Sequence, residues 1–121
     1  MPNEVASSRE RPWPTELIFQ AKKKQLIIAF DDASTFLIPY ELLRVESPSA
    51  EVQGHHGVEK KWVHDKADVT VLRAEPVGRY ALRLIFDDGH NSGIFTWDWL
   101  YRLGKDQKTL MQRYRQACQT R

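Results

Sequence analysis

The chain of 121 residues has the length of one domain, enough to bury about two thirds of its unfolded surface in a single core. Its composition is 41% hydrophobic, 11% aromatic and 28% charged, which excludes disorder of the whole, and a net charge of +2 is too weak a field to argue for a nucleic-acid partner. The lone Cys118 excludes an intramolecular disulfide, no apolar run approaches the roughly 20 residues that cross a bilayer, and no apolar signal core follows Met1, so a cytoplasmic protein without a membrane partner is expected.

Residues 1–13 offer almost nothing apolar to bury and read as a disordered lead, with a single domain expected over 14–121. Thr15 to Gln20 and Gln25 to Phe30 are β-favourable runs separated by Ala21-Lys22-Lys23-Lys24, the spacing of a hairpin, with Leu26, Ile28 and Phe30 on one face. A third run, Ser34 to Ile38, leads into a short helix that opens with Pro39 at its first position and Glu41 in its first turn. Ser47 to about Lys66 is polar and broken by Pro48, Gly54 and Gly57, an irregular segment. Regular structure returns at Asp68 to Glu75, turns at Pro76-Val77-Gly78, and continues as the clearest strand, Tyr80 to Phe86, whose alternate residues Tyr80, Leu82, Leu84 and Phe86 share a face. Asp87-Asp88-Gly89 is turn chemistry before a returning strand, His90 to Phe95. Thr96 is placed to cap a helix, Trp97 to Leu103, with Asp98 in its first turn and Gly104 as its stop. Leu110, Met111, Tyr114, Ala117 and Cys118 then fall at helical spacing, giving a C-terminal amphipathic helix. The fold class is α+β, mostly antiparallel hairpins with short helices.

An internal likeness organises these elements. Leu26 to Asp32 and Leu82 to Asp88 both end in Phe-Asp-Asp, and each is followed by a strand and then a helix, Tyr40-Glu41-Leu42-Leu43 in one and Trp97-Asp98-Trp99-Leu100 in the other. The first pair lies 56 positions apart and the second 57, longer than most repeats that stack as solenoids. A duplicated hairpin-strand-helix unit accounts for this; chance likeness of two hairpins is the alternative.

Candidate chemistry is sparse. Zinc needs three or four converging His or Cys ligands, whereas His55 and His56 are adjacent, and His64 and His90 stand apart, so the histidines read as surface residues of polar segments. Asp31-Asp32 and Asp87-Asp88 follow strands directly, where aspartate stabilises a turn by accepting from its own backbone, and they read as turns before they read as acid/base pairs. Lys22, Lys23 and Lys24, with Lys60 and Lys61, lack an interleaved aromatic platform and read as solvated. Trp97, Asp98 and Trp99 suit either a recognition surface or core packing at a helix start. There is no phosphate-binding glycine loop, nucleophile elbow or Cys-x-x-Cys motif on which an enzyme could be argued.

The stretches LLRVESPSAEVQGH, Leu42 to His55, and FDDGHNSGIFTWDWL, Phe86 to Leu100, resemble an uncharacterised bacterial family similar to the N-terminal domain of γ-butyrobetaine hydroxylase, over roughly residues 14 to 104. The resemblance implies a zinc-binding module whose three cysteine positions fall here on Ser47, Ser49 and Val52, and whose histidine falls on His90. Serine and valine do not replace thiolates on zinc, so the resemblance implies the fold while arguing against its metal. It also places the iron and 2-oxoglutarate chemistry in a separate domain that these residues do not include, and similar domains occur beside iron–sulfur scaffold ATPases. Three expectations follow. The chain is a non-catalytic module, without a cofactor, that binds a protein partner. Its contact surface is built on the Asp87 to Leu100 segment, with Asp88, His90, Trp97, Asp98 and Trp99, and on the Ser47 to His64 loop. The alternative is a metal-binding or iron–sulfur-assembly accessory protein in which His90 and the loop histidines hold zinc or iron.

Overall fold

A computed structural model of the protein describes residues 12–48 and 66–119; the expectations for the lead before Pro12 and for the segment 49–65, with Ser49, Val52, His55, His56 and His64, lie outside the described residues. The elements run β1 (Pro14–Gln20), β2 (Gln25–Phe30), β3 (Thr35–Pro39), α1 (Tyr40–Val45), β4 (Val71–Val77), β5 (Ala81–Phe86), β6 (Gly93–Thr96), α2 (Trp97–Lys105) and α3 (Gln107–Gln119). They form two antiparallel three-stranded sheets, ordered β1-β2-β3 and β4-β5-β6, with the helices packed on them. The expected α+β class, built on hairpins and a C-terminal helix, is the one observed.

Each sheet buries one face because its strands alternate. Leu26, Ile28, Phe30 and Ile38 of the first sheet and Leu82, Leu84, Phe86 and Phe95 of the second are all buried, and they meet Tyr40, Leu42 and Leu43 of α1, Leu100 and Leu103 of α2, and Met111 and Tyr114 of α3 in one hydrophobic cluster. Helix α3 is amphipathic as its spacing predicts, with Lys108, Gln112, Arg113 and Arg115 exposed opposite Met111 and Tyr114.

The duplication is written in the hydrogen bonds. Phe30 and Phe86 N–H donate to the carbonyls of Ser34 and His90, and Asp31 and Asp87 N–H to those of Trp13 and Thr70. In return the Asp31 and Asp87 carboxylates accept from the N–H groups of Trp13 and Thr70, and Asp32 and Asp88 accept from Ser34 and His90, two residues on. The left-handed turn position falls on Ala33 in one unit, φ 73°, and on Gly89 in the other, φ 95°. Each first hairpin carries one register shift, between Pro14 and Glu16 and between Val71 and Arg73. The paired aspartates are thus turn-forming residues.

Four boundaries differ from the sequence reading, each for a tertiary reason. Pro39 closes β3 with ψ 144° and caps α1 from outside, since its pairing with Gln25 holds it extended. Pro76 lies inside β4, opposite Leu82; β4 is an edge strand, where a missing N–H costs no ladder bond. The turn therefore falls at Gly78, φ 57°, and Tyr80, expected on the buried face of the strand, is instead 69% exposed. His90 is bonded into the aspartate turn and residues 91–92 are irregular, so β6 starts at Gly93. Gly104 does not stop α2, which runs to Lys105; a Cβ there would collide with the Phe36 side chain, and its absence lets β3 and α2 touch.

Candidate functional site

The sequence-selected residues separate into two groups. Asp88 and His90 share the turn after β5, and α1 of the other unit reaches them: Arg44 Nε donates to Asp88 Oδ2 at 2.8 Å, Lys66 Nζ to the same oxygen at 2.7 Å, and His90 N–H to Oδ1 at 3.1 Å. Arg44 and Asp88 side chains are 14% and 20% exposed. That partial burial alone would raise the Asp88 carboxyl, but the bonds from Lys66, the His90 N–H and Arg44 outweigh it and hold the group well below the ordinary carboxylate range. His90 Nε2 lies 2.8 Å from Ser47 Oγ. Ser47 in turn sits where a Cβ on Gly93 would be, so a glycine is needed under it. Trp99 belongs here too, its indole N–H donating to the Glu46 carbonyl at 2.9 Å while its N–H is capped by Thr96 Oγ1.

Whether this corner could hold zinc or iron turns on its donors. The imidazole meets a serine hydroxyl in place of a thiolate, the Asp88 carboxylate is saturated by two cations, and no three His, Cys, Asp or Glu side chains converge on a metal position among the described residues. The described residues do not fit the metal.

Trp97 and Asp98 form the second group. Residues two apart on a helix do not face one another, so Trp97 and Trp99 find different neighbours. Trp97 Nε1 donates to the Arg79 carbonyl at 2.8 Å, and its ring meets that of Trp13 edge to face, centroids 6.4 Å apart at 66°. Pro12, Trp13, Tyr80, Thr96, Trp97 and Asp98 line a cleft of about 220 Å³. Trp13 and Tyr80 were not singled out from the sequence: one lies in the lead, between two prolines, and the other was assigned to a buried strand face. A tryptophan bracketed by two prolines, Pro12-Trp13-Pro14, is the signal the sequence carries.

An α+β module of two hairpin-strand-helix units, cross-linked through Arg44, Asp88, Ser47 and His90, is the class that fold and site define. The family model for γ-butyrobetaine hydroxylase-like, N-terminal domains matches residues 17–101, and the chain belongs to that family. A crystal structure of a protein of unknown function from Acidithiobacillus ferrooxidans, placed in the DUF971 family, is 37% identical, with a TM-score of 0.64 over 75% of this chain and 91% of that one. Two proteins solved by NMR in solution are 41% and 38% identical, with TM-scores of 0.79 and 0.78; they cover 91% and 90% of this chain and 82% and 86% of their own. No curated protein matches the chain.

Proposed function

We propose that the protein is a non-catalytic accessory module that binds a protein partner through the cleft formed by Trp13, Tyr80, Trp97 and Asp98. The observation that carries this reading is the cleft itself, an aromatic recess with Tyr80 69% and Trp13 40% exposed. Tryptophan and tyrosine are enriched among the few residues that dominate binding energy at protein interfaces. Asp88, His90 and Trp99, first grouped with Trp97 as one surface, spend their polar atoms within the molecule and serve the cleft by fixing α2 and the turn before β6. The zinc or iron accessory reading would need donors from residues 49–65, and none of the described groups favours it.

The test compares affinity capture by wild type with capture by Tyr80→Ala and Trp13→Ala, both exposed positions, with the circular dichroism spectrum of each variant checked against wild type. Proteins retained by wild type and lost by both variants are the expected result. Retention of every partner by both variants removes the cleft as the contact surface.

A further inference from the structure

We propose that the outer edge of β1 pairs antiparallel with β1 of a second copy of the chain, joining the two first sheets into one continuous sheet about a two-fold axis at Ile18. The backbone decides which groups that edge presents. Phe30 N–H donates to the Ser34 carbonyl on the β3 side of β2, and Asp31 N–H to the Trp13 carbonyl on the β1 side. Bonding directions alternate along a strand, so Gln25 and Ile27 bond towards β1 while Leu26 and Ile28 bond towards β3. Ile18 and Gln20, opposite Ile27 and Gln25, therefore turn their backbone groups inwards to β2. Leu17 and Phe19 turn theirs to the outer edge, where no described strand pairs with them.

The second unit shows the same edge guarded. Val71 lies opposite Phe86 as Pro14 lies opposite Phe30, so Glu75 and Pro76 of β4 take the places of Ile18 and Phe19, 57 residues on. Proline has no N–H to offer a further strand, and the Glu75 carboxylate is paired with Arg83 at 2.7 Å and Arg73 at 3.1 Å; proline and charge are both devices by which edge strands resist pairing. At these places β1 has neither. Ile18, Ile27 and Leu37 form one apolar row across the outer face of its sheet, Ile18 40% and Leu37 51% exposed, and Glu16 is the only charged residue that the three strands place on that face.

The self-complementary register centres on Ile18. Leu17 then faces Phe19 of the second copy and exchanges both backbone bonds with it. The two Ile18 side chains meet as a non-bonded pair, where side chains approach closest, and carry the apolar row from one copy into the other. Glu16 falls opposite Gln20 and not opposite a second Glu16. Gln20 Oε1 accepts from Gln25 Nε2 at 2.6 Å, which leaves the Gln20 amide nitrogen to donate to that carboxylate. A contact confined to Glu16–Gln20 falls short of the roughly 1,200–2,000 Å² that stable interfaces bury, so the dimer is a weak one that forms with rising concentration.

The experiment is sedimentation velocity from about 10 µM to about 1 mM, with backbone amide NMR signals and their hydrogen exchange followed over the same range. A monomer–dimer equilibrium is expected, in which the Leu17 and Phe19 amides shift and gain protection as concentration rises. Ile18→Glu and Ile18→Lys, both at an exposed position, set like charges against each other across the axis and should each weaken dimerisation by about tenfold or more. An equimolar mixture of the two variants sets glutamate against lysine and should dimerise again, a rescue that a mere loss of folding would not show. A monomer over the whole range, a dimer that both charged variants retain, or a mixture that associates no better than either variant alone overturns the proposal.

Discussion

Two glycines and two side chains illustrate how single residues set the approach of whole elements. Gly104 makes room for Phe36, and Gly93 for Ser47; the four positions correspond across the units, with the glycine carried by the helix end in one contact and by the strand in the other. Helix propensity alone favours Gly104→Ala by about 1 kcal/mol, but forcing a methyl into a filled contact costs about 1–3 kcal/mol. Net destabilisation is therefore expected in chemical denaturation, and in a Phe36→Ala background the same change should stabilise. Asp88 gives a pH signature. Its carboxyl is lowered in the folded state, so its contribution is complete above the ordinary carboxylate range and is lost as pH falls below it. Asp88→Asn leaves Arg44 and Lys66 facing a neutral amide and should cost about 1–3 kcal/mol at neutral pH. The difference between wild type and variant should shrink towards zero on acidification, and a pH-independent difference would mean that shape, not charge, matters there.

Among the elements, α3 closes the core over α1 and carries its own titration. Burial first, then the bond to Cys118 and the nearby Glu41, push the Tyr114 phenol up to about 12, whereas an unfolded tyrosine titrates near 10. The neutral phenol therefore contributes fully below about pH 10 and loses its contribution as pH rises towards 12. Tyr114→Phe should cost about 1 kcal/mol at neutral pH while flattening the alkaline loss of stability, read as denaturation midpoints alongside phenolate absorbance. Element identity was legible in the sequence wherever it rests on local chemistry: alternation in β2 and β5, the aspartate turns, the Thr96 cap and the 3.6-residue spacing of α3. Boundaries at Pro39, Pro76 and Gly104 were not, because each depends on a neighbour distant in sequence: a strand partner, an edge position, an aromatic ring in another element. The site divided the same way. Its residues Asp88, His90, Trp97, Asp98 and Trp99 were visible, but their separation into a polar cross-link and an aromatic cleft follows from helix phase and from Trp13 and Tyr80.

At the scale of the molecule, the units exchange their helices. Arg44 and Ser47, at and just after α1, reach Asp88 and His90 in the second unit, and Tyr101 of α2 gives its hydroxyl to Asp32 in the first at 2.7 Å, its ring packed edge-on against Phe30 and Phe36. Arg44 and Tyr101 occupy corresponding positions 57 residues apart, so one contact repeats with a cation in place of a phenol. A sheet of three strands has one face to cover, and here α2 packs on β3 of the first sheet while Ser47, just after α1, sits against Gly93 of the second.

That exchange makes the protein an intramolecular dimer, and dimers do not require their subunits to be joined. Residues 1–56 and 57–121, expressed as separate polypeptides, are each expected to lack a closed core, since the first loses α2, which packs on β3, and the second loses the Arg44 and Ser47 side chains that brace its aspartate turn. Mixed, they should complement one another, copurify in equal amounts and recover the native tryptophan fluorescence. Independent folding of either fragment would show that its helix can turn back on its own strands.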